Sequence, residues 1–225
     1  MIKRTIWLYC SFICLINLVG CAGDYDAAPV VERSVARYYI PATYHVRSGD
    51  TIYSIAWMFG LDYRQLIKSN RLTPPYIIHS GDTLQIKDIH AHKRVSDQQV
   101  LKRYPLRWIP PVSTSVLTGF SSHPLGNQGL NYAGRLAMPI VSAASGVVVY
   151  SGTGIRGYGN LIIIKHNQLF LSAYAYNLRN LVKEGDRVKK GQKIALMGRN
   201  NLGKVMLHFE IRQGGRPVNP MRFLH

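Results

Sequence analysis

The chain has 225 residues and carries 28 Lys plus Arg against 11 Asp plus Glu, a formal net charge of +17. That length suits two modest domains, and nothing in the composition reads as coiled coil or low complexity. All three cysteines, Cys10, Cys14 and Cys21, fall in the first 21 residues, so the body of the chain has no thiol for a disulfide or a Cys-type zinc site.

Met1-Ile2-Lys3-Arg4 followed by the apolar run Trp7 to Val19 has the charged start and short apolar stretch of a secretory signal. As a helix it is too short to span roughly 30 Å of hydrocarbon. The run closes on Leu18-Val19-Gly20-Cys21, which resembles the bacterial lipobox; an ordinary signal with a buried Cys near its end is the alternative. The resemblance implies that residues 1–20 are removed and that Cys21 carries the lipid. With Ala22 rather than Asp next, it also implies an outer-membrane lipoprotein facing the periplasm of a Gram-negative bacterium. An exported protein of this charge meets anionic lipid and cell-wall carboxylates, and no nucleic-acid partner is expected. The basic residues are also dispersed, so a merely solvated face is the other account of them.

Residues 21–43 show little apolar periodicity, contain Pro29 and Pro41, and read as a tether. Residues 44–87 then give a short alternating strand, Tyr44-His45-Val46, and a helix start at Ser48-Gly49-Asp50-Thr51, where Asp and Thr oxygens can cap free amides. Helical spacing puts Ile52, Ile55, Ala56 and Phe59 on one face, and Gly60 ends that helix. A second helix runs from Asp62 to near Asn70 and buries Leu66 and Ile67. The loop Leu72-Thr73-Pro74-Pro75 leads through Tyr76, Ile77 and Ile78 to a closing strand in Gly81–Ile86.

This strand-helix-helix-strand block, with YHVRSGDTIYSIA, Asn70 and PPYIIHSGDTLQI, resembles a LysM domain over its whole length. The resemblance implies binding of N-acetylglucosamine-containing glycan, hence peptidoglycan, between the Gly49-Asp50-Thr51-Ile52 loop and the Leu72-Thr73-Pro74 loop. Capping alone is the other role open to Asp50 and Thr51. His45, on a short strand, reads as a packed or surface residue.

Residues 88–107 are basic and polar and read as a linker, with Ser96 and Gln99 spaced as a weak capping box for a short helix. From there short β-rich runs alternate with Gly and Pro: Val116 to Phe120, Gly146 to Tyr150, Leu161 to Lys165, Phe170 to Tyr174, Lys193 to Met197 and Leu207 to Ile211. Turn signals such as Gly157, Gly185-Asp186 and Gly214-Gly215 separate them, which argues for a compact antiparallel β domain over residues 108–225. The expected fold class is therefore α+β, a small βααβ module followed by a mainly antiparallel β domain.

Over Leu117 to Phe223 this β domain is similar to the lysostaphin and LytM type of peptidoglycan endopeptidase, a duplicated hybrid motif-like fold. The likeness rests on GLNYA, AMPIVSAASGVVVYSG, GYGNLIIIKH, YAYN, VKEGDRVKKGQKIALMG and LHFEIRQGGRPVNPMRFL. Active members bind zinc through a His, an Asp four residues later and a second His of an HxH pair. The first His of that pair and a His in a YAH segment complete their machinery. Carried over by motif, those positions fall on Asn127, Asn131, His208, Met206 and Tyr176, so only His208 keeps its identity.

A hydrolytic zinc site needs three protein ligands and an open position. Neutral amides are poor ligands, and neither Tyr nor a thioether replaces a histidine base. The sequence therefore predicts no metal, no cofactor and no catalysis. His123 upstream could serve as a substitute ligand only against its spacing and Pro124, and His166 at a strand end reads as structural.

A metal-less version joined to LysM and a lipid anchor resembles the NlpD-type murein hydrolase activators, with RGYGNLIIIKH and VNPMRFL carrying the subfamily likeness. That resemblance implies that the vacant cleft binds an N-acetylmuramyl-L-alanine amidase during septal wall splitting and daughter-cell separation. The expected groove residues are Asn127, Asn131, Arg156, Tyr158, Tyr176, Asn177, Met206 and His208; for Asn131 and Met206 the alternative is that they merely fill a dead site. Two competing readings stay open. One is a zinc endopeptidase with a rearranged site, the other a passive tether between outer membrane and wall.

Overall fold

The computed structural model describes residues 41–86, 106–123 and 125–224. The signal segment, Cys21, the tether up to residue 40 and the short helix expected around Ser96 and Gln99 lie outside those residues.

The first module is built as its sequence predicts. β1 (Thr43–His45) pairs antiparallel with β2 (Thr83–Gln85), and α1 (Ile52–Phe59) and α2 (Tyr63–Ser69) lie between them. Thr51 caps α1 through a reciprocal box: its Oγ1 accepts from Ser54 N at 3.0 Å and its own N–H donates to Ser54 Oγ at 2.9 Å. Gly60, at φ 66°, ends the helix in the left-handed conformation. Asp62 caps α2, and Asn70 stitches its far end to β2 by donating to Gln85 O at 2.9 Å and accepting from Gln85 N at 2.7 Å. Leu66 is buried as expected; Ile67 is only half-buried.

One turn recurs along the chain. At Arg47–Asp50, His79–Asp82 and Lys183–Asp186 the third residue is a glycine with φ of 82°, 96° and 89°. In each, the Asp N–H closes on the first carbonyl, and the Asp carboxylate accepts the first residue's N–H at 2.8 to 2.9 Å. Only glycine adopts that third conformation without strain, so the Gly-Asp pair in the sequence specifies the turn.

The second part is a ten-stranded, predominantly antiparallel sheet. Its main path runs β3 (Val116–Thr118), β4 (Leu130–Tyr132), β11 (Leu207–Gln213), β8 (Phe170–Asn180), β7 (Asn160–Lys165), β6 (Gly146–Gly152) and β9 (Arg187–Val188). Off this path, β10 (Lys193–Met197) pairs with β5 (Pro139–Val141) and β8, and β12 (Arg216–Val218) pairs with β11. The six runs expected from sequence all appear. β8 continues past Tyr174 to Asn180, and the run expected from Val116 to Phe120 stops at Thr118. The strands β4, β5, β9 and β12, each of two or three residues, lack the length that makes alternation visible.

The central strand β7 is apolar on both faces: Leu161 and Ile163 face one core, Ile162 and Ile164 the other, and all four are fully buried. A strand of that kind needs cover on each side. One cover comes from the β domain itself, through Trp108, Ile140, Ile194 and Met197. The other is the first module, whose Ile55, Trp57, Leu61 and Tyr63 share a continuous core with Val149, Leu161, Ile163 and Leu171.

Polar contacts fix that docking. Thr51 Oγ1 donates to Val149 O at 3.2 Å, Tyr63 OH donates to Gln168 O at 3.2 Å, and Lys165 Nζ reaches Tyr53 OH at 3.2 Å. At the β11–β12 turn Gly215 abuts the backbone of Leu61, where a Cβ would stand 2.3 Å from the carbonyl oxygen. The two parts that the sequence separates by a linker thus fold into one compact unit, Ile40–His225. The apolar surplus of β7 and the outward ring of Trp57 are the physical reason.

Candidate functional site

Most of the positions expected to line a groove lie on or beside β4, β11 and β8, which run side by side. Register places Asn131 opposite His208 and His208 opposite Ala175, one residue before Tyr176. Along β11 the side chains alternate: Leu207, Phe209 and Ile211 enter the inner core, while His208, Glu210 and Arg212 share the other face.

Those three form one hydrogen-bonded array. His208 Nε2 donates to Glu210 Oε1 at 3.0 Å, and its Nδ1 meets the Asn131 amide at 2.7 Å. An amide presents an oxygen or an NH2 group according to its flip, so Asn131 can satisfy either state of that nitrogen. Glu210 Oε1 also accepts from Tyr158 OH at 2.7 Å, and Oε2 accepts from Arg212 Nε at 3.0 Å. Burial raises the Glu210 pKa, but the Arg212 charge and the His208 bond outweigh it and hold the carboxyl at about 2. The Tyr158 hydroxyl, pushed well above its ordinary range by burial and by Glu210, remains a donor.

Tyr176 stands over this array with its ring centroid 6.0 Å from that of His208. It holds φ 64°, unusual for a residue with a Cβ. Its N–H donates to Tyr158 O at 2.9 Å, and its carbonyl accepts from Gly198 N at 2.9 Å. Gly198 has to be glycine, because a Cβ there would lie 2.6 Å from that same carbonyl oxygen.

The expected groove residues divide into three groups. Asn131, Tyr158, Tyr176 and His208 are brought together around the array. Asn127, Asn177 and Met206 make no hydrogen bond to it. The Asn127 Nδ2 group is committed to the Thr118, Gly119 and Gly129 carbonyls, Asn177 Nδ2 donates to Tyr174 O and Asn180 Oδ1, and Met206 is buried. Arg156 is exposed and takes no part in the array.

Sequence reasoning missed Glu210, Arg212 and Trp57. The pattern pointed the other way: polar residues at period two in a strand whose alternate positions are all large and apolar read as a half-buried strand with a solvated face, whereas Glu210 and Arg212 are buried.

The residues present do not fit a catalytic zinc. The position of the family's acid is an amide, both His208 nitrogens are engaged, and among the described residues no group of three His, Cys, Asp or Glu side chains could hold a metal ion. His123 is exposed, its Nδ1 accepting from Leu125 N at 3.2 Å. His166 is structural as expected. Its Nδ1 donates to Ser145 O at 2.9 Å, Nε2 accepts from Ser172 Oγ at 2.7 Å, and burial pushes it down to about 4.

In the first module, Gly49 and Thr73 are exposed, as is Pro74, while Leu72 is half-buried. Asp50 Oδ2 is engaged by Tyr44 OH and Arg47 N, Thr51 serves capping and docking, and Ile52 lies in the core at 2% exposure. What the first loop offers a ligand is therefore mainly backbone.

Comparison with known proteins gives the same two parts. The model described as LysM domain matches residues 44–87 and that described as Peptidase family M23 matches residues 126–220. This is a LysM module joined to an M23-type fold. A lipoprotein NlpD/LppB homolog of Pseudomonas aeruginosa is 37% identical over 80% of this chain and 76% of its own, and the murein hydrolase activator NlpD of Escherichia coli K12 is 32% identical over 83% and 68%. The crystal structure of a zinc containing peptidase from Vibrio cholerae shares the fold, with a TM-score of 0.50 at 17% identity over 80% of this chain and 98% of that one. The chain belongs to the NlpD/LppB lipoprotein family.

Proposed function

We propose that this protein is a non-catalytic outer-membrane lipoprotein, anchored through Cys21, that binds peptidoglycan through its LysM module and activates an N-acetylmuramyl-L-alanine amidase through the groove of its M23 fold. The observation that carries the reading is the His208 array. The one family histidine that remains is held between Asn131 and Glu210, and among the described residues no third His, Cys, Asp or Glu joins them in a group that could hold a metal ion.

Such a groove is built to bind. Exposed leucines stand close in the chain to three of the groove residues: Leu125 before Asn127 and Leu202, 91% exposed, ahead of Met206, both on loops, and Leu178 after Asn177 on β8. Solvent-facing apolar side chains beside a polar floor suit a protein partner better than a sugar. Activation asks only that the groove prefer the open amidase over the closed one. A preference of about 3 kcal/mol shifts those populations by roughly two powers of ten.

The test mixes the soluble form, begun after Cys21, with each amidase of the host and dye-labelled murein. Dye release should rise well above that of the amidase alone, and the protein by itself should release nothing. Unchanged release with every amidase, or cleavage of cross-linked stem peptides by the protein alone with stoichiometric zinc, overturns the reading.

A further inference from the structure

We infer that the LysM module is the back wall of the groove, and that Trp57 on α1 is a positioning residue for His208, acting through Arg212, Tyr158 and Glu210. The proposal rests on the reading of the groove as the partner site, and it adds the wall-binding module to that site.

The chain of contact is continuous. The Trp57 ring is 2% exposed, and the Arg212 guanidinium lies over it with Cζ 3.6 Å from the ring centroid. Arg212 Nη1 also donates to the Trp57 carbonyl at 2.7 Å. That carbonyl belongs to the last turn of α1, where it already accepts from Gly60 N. Arg212 is thereby held by the module on one side and holds Glu210 on the other. Tyr158 completes a second route: its ring meets Trp57 edge-on at 6.4 Å and His208 at 5.9 Å, and its hydroxyl bonds Glu210. Both routes converge on the carboxylate that orients His208.

A guanidinium stacked on an indole and bonded to a helix carbonyl is a directional contact, unlike the general apolar packing around it. The Trp57 indole N–H makes at most a poorly formed bond to the Tyr158 hydroxyl, so stacking and apolar contact do most to hold the ring. Phe in its place therefore keeps the function of the site, whereas Ala removes it.

The experiment uses the full soluble chain and three readouts: affinity for the amidase it activates, binding of a chitin oligosaccharide, and the ring 15N signals of His208. Trp57→Ala should weaken amidase binding by about tenfold, within the usual range of coupling between sites. It should also shift or broaden the His208 signals and leave oligosaccharide binding within twofold of wild type. Trp57→Phe should restore all but a small part.

Wild-type amidase affinity together with unmoved His208 signals in Trp57→Ala overturns the proposal. If Trp57→Ala also loses the sugar, Gly215→Ala decides, since its added Cβ stands 2.3 Å from the Leu61 carbonyl oxygen and, at φ 82°, also strains the β11–β12 turn, so that it loosens the docking while leaving the Trp57 side chain in place. It should reproduce the amidase and His208 effects, and their absence there counts against the proposal. If the wild-type chain binds no amidase, the proposed function fails while the His208 signals still test the positioning.

Discussion

Two histidines sit on the same sheet in buried polar clusters, and they behave as opposites. His166, at one end, belongs to a neutral cluster: Ser172 Oγ bonds it and lies 3.1 Å from Tyr174 OH, which accepts from Ala143 N at 2.8 Å, while Trp108 packs on the ring at 4.6 Å. Every partner comes from the β domain. His208, at the other end, belongs to a charged cluster whose last member, Arg212, is seated on the LysM module. The first arrangement is built within one part of the protein; the second is shared between two parts. The fold keeps one histidine for packing and leaves the other where neighbouring modules can set its position.

The largest effect that separates the two clusters comes from removing the shared charge. Glu210→Gln leaves Arg212 buried without its carboxylate, at 0% and 6% exposure for the two residues. Breaking a buried pair in this way costs about 3 to 5 kcal/mol. Urea unfolding of the soluble chain should show that loss, and a change under 1 kcal/mol would mean that water already screens the array. Tyr174→Phe at the other end removes only a neutral hydroxyl and strands the Ala143 N–H, so about 1 to 3 kcal/mol is expected.

Acid sharpens the same contrast. His166 in the fold titrates at about 4, below its ordinary 6.5, so the folded state resists protonation there. Its contribution is complete above pH 6.5 and is lost as pH falls from 6.5 toward 4. Glu210 titrates at about 2, below its ordinary 4.5, so its contribution is complete above pH 4.5 and is lost between 4.5 and 2. Each shift corresponds to roughly 3 kcal/mol. Unfolding free energies at pH 7, 5, 4 and 3 should therefore decline in two stages, and His166→Gln should remove the upper stage alone. A single decline confined below pH 4.5 would refute the assignment for His166.

How much of this was legible in the sequence depends on whether the instruction is local. The Gly185-Asp186 turn, the Thr51 cap, the helix start at Asp62 and the Gly60 helix end follow from neighbours within a few residues and appear where the chain predicts them, whereas Gly81-Asp82, expected in the closing strand, form a turn ahead of β2. The substitutions at the family's metal and base positions, Asn127, Asn131, Met206 and Tyr176, were also legible, because family motifs mark each position. The His208 array was not. Glu210 and Arg212 become partners of Tyr158 and Trp57 only through contacts 52 and 155 residues apart in sequence. The all-apolar run Leu161–Ile164 signalled that something must cover the sheet without naming the cover. Arg156, chosen for its chemistry beside Tyr158, lies outside the array because its loop turns that side chain to solvent.

The smallest effect on stability should accompany a large effect on partnership, at Tyr176. Its φ of 64° costs a residue with a Cβ on the order of 1 kcal/mol, and Asn tolerates that conformation better than Tyr. Tyr176→Asn thus relieves strain while it loses a half-buried ring, two terms of opposite sign and similar size, and unfolding should change by no more than about 0.5 kcal/mol. The ring, however, is half-buried beside His208, where the proposed partner would meet it. Aromatic anchors of this kind contribute disproportionately to binding, so amidase activation by Tyr176→Asn should fall by about tenfold or more. The backbone bond from Tyr176 N to Tyr158 O survives the substitution, so the floor of the groove stays in place and the loss reads the ring alone. Full activation by this variant would place the partner surface elsewhere on the sheet, and a large stability loss would show that Tyr176 is held for packing.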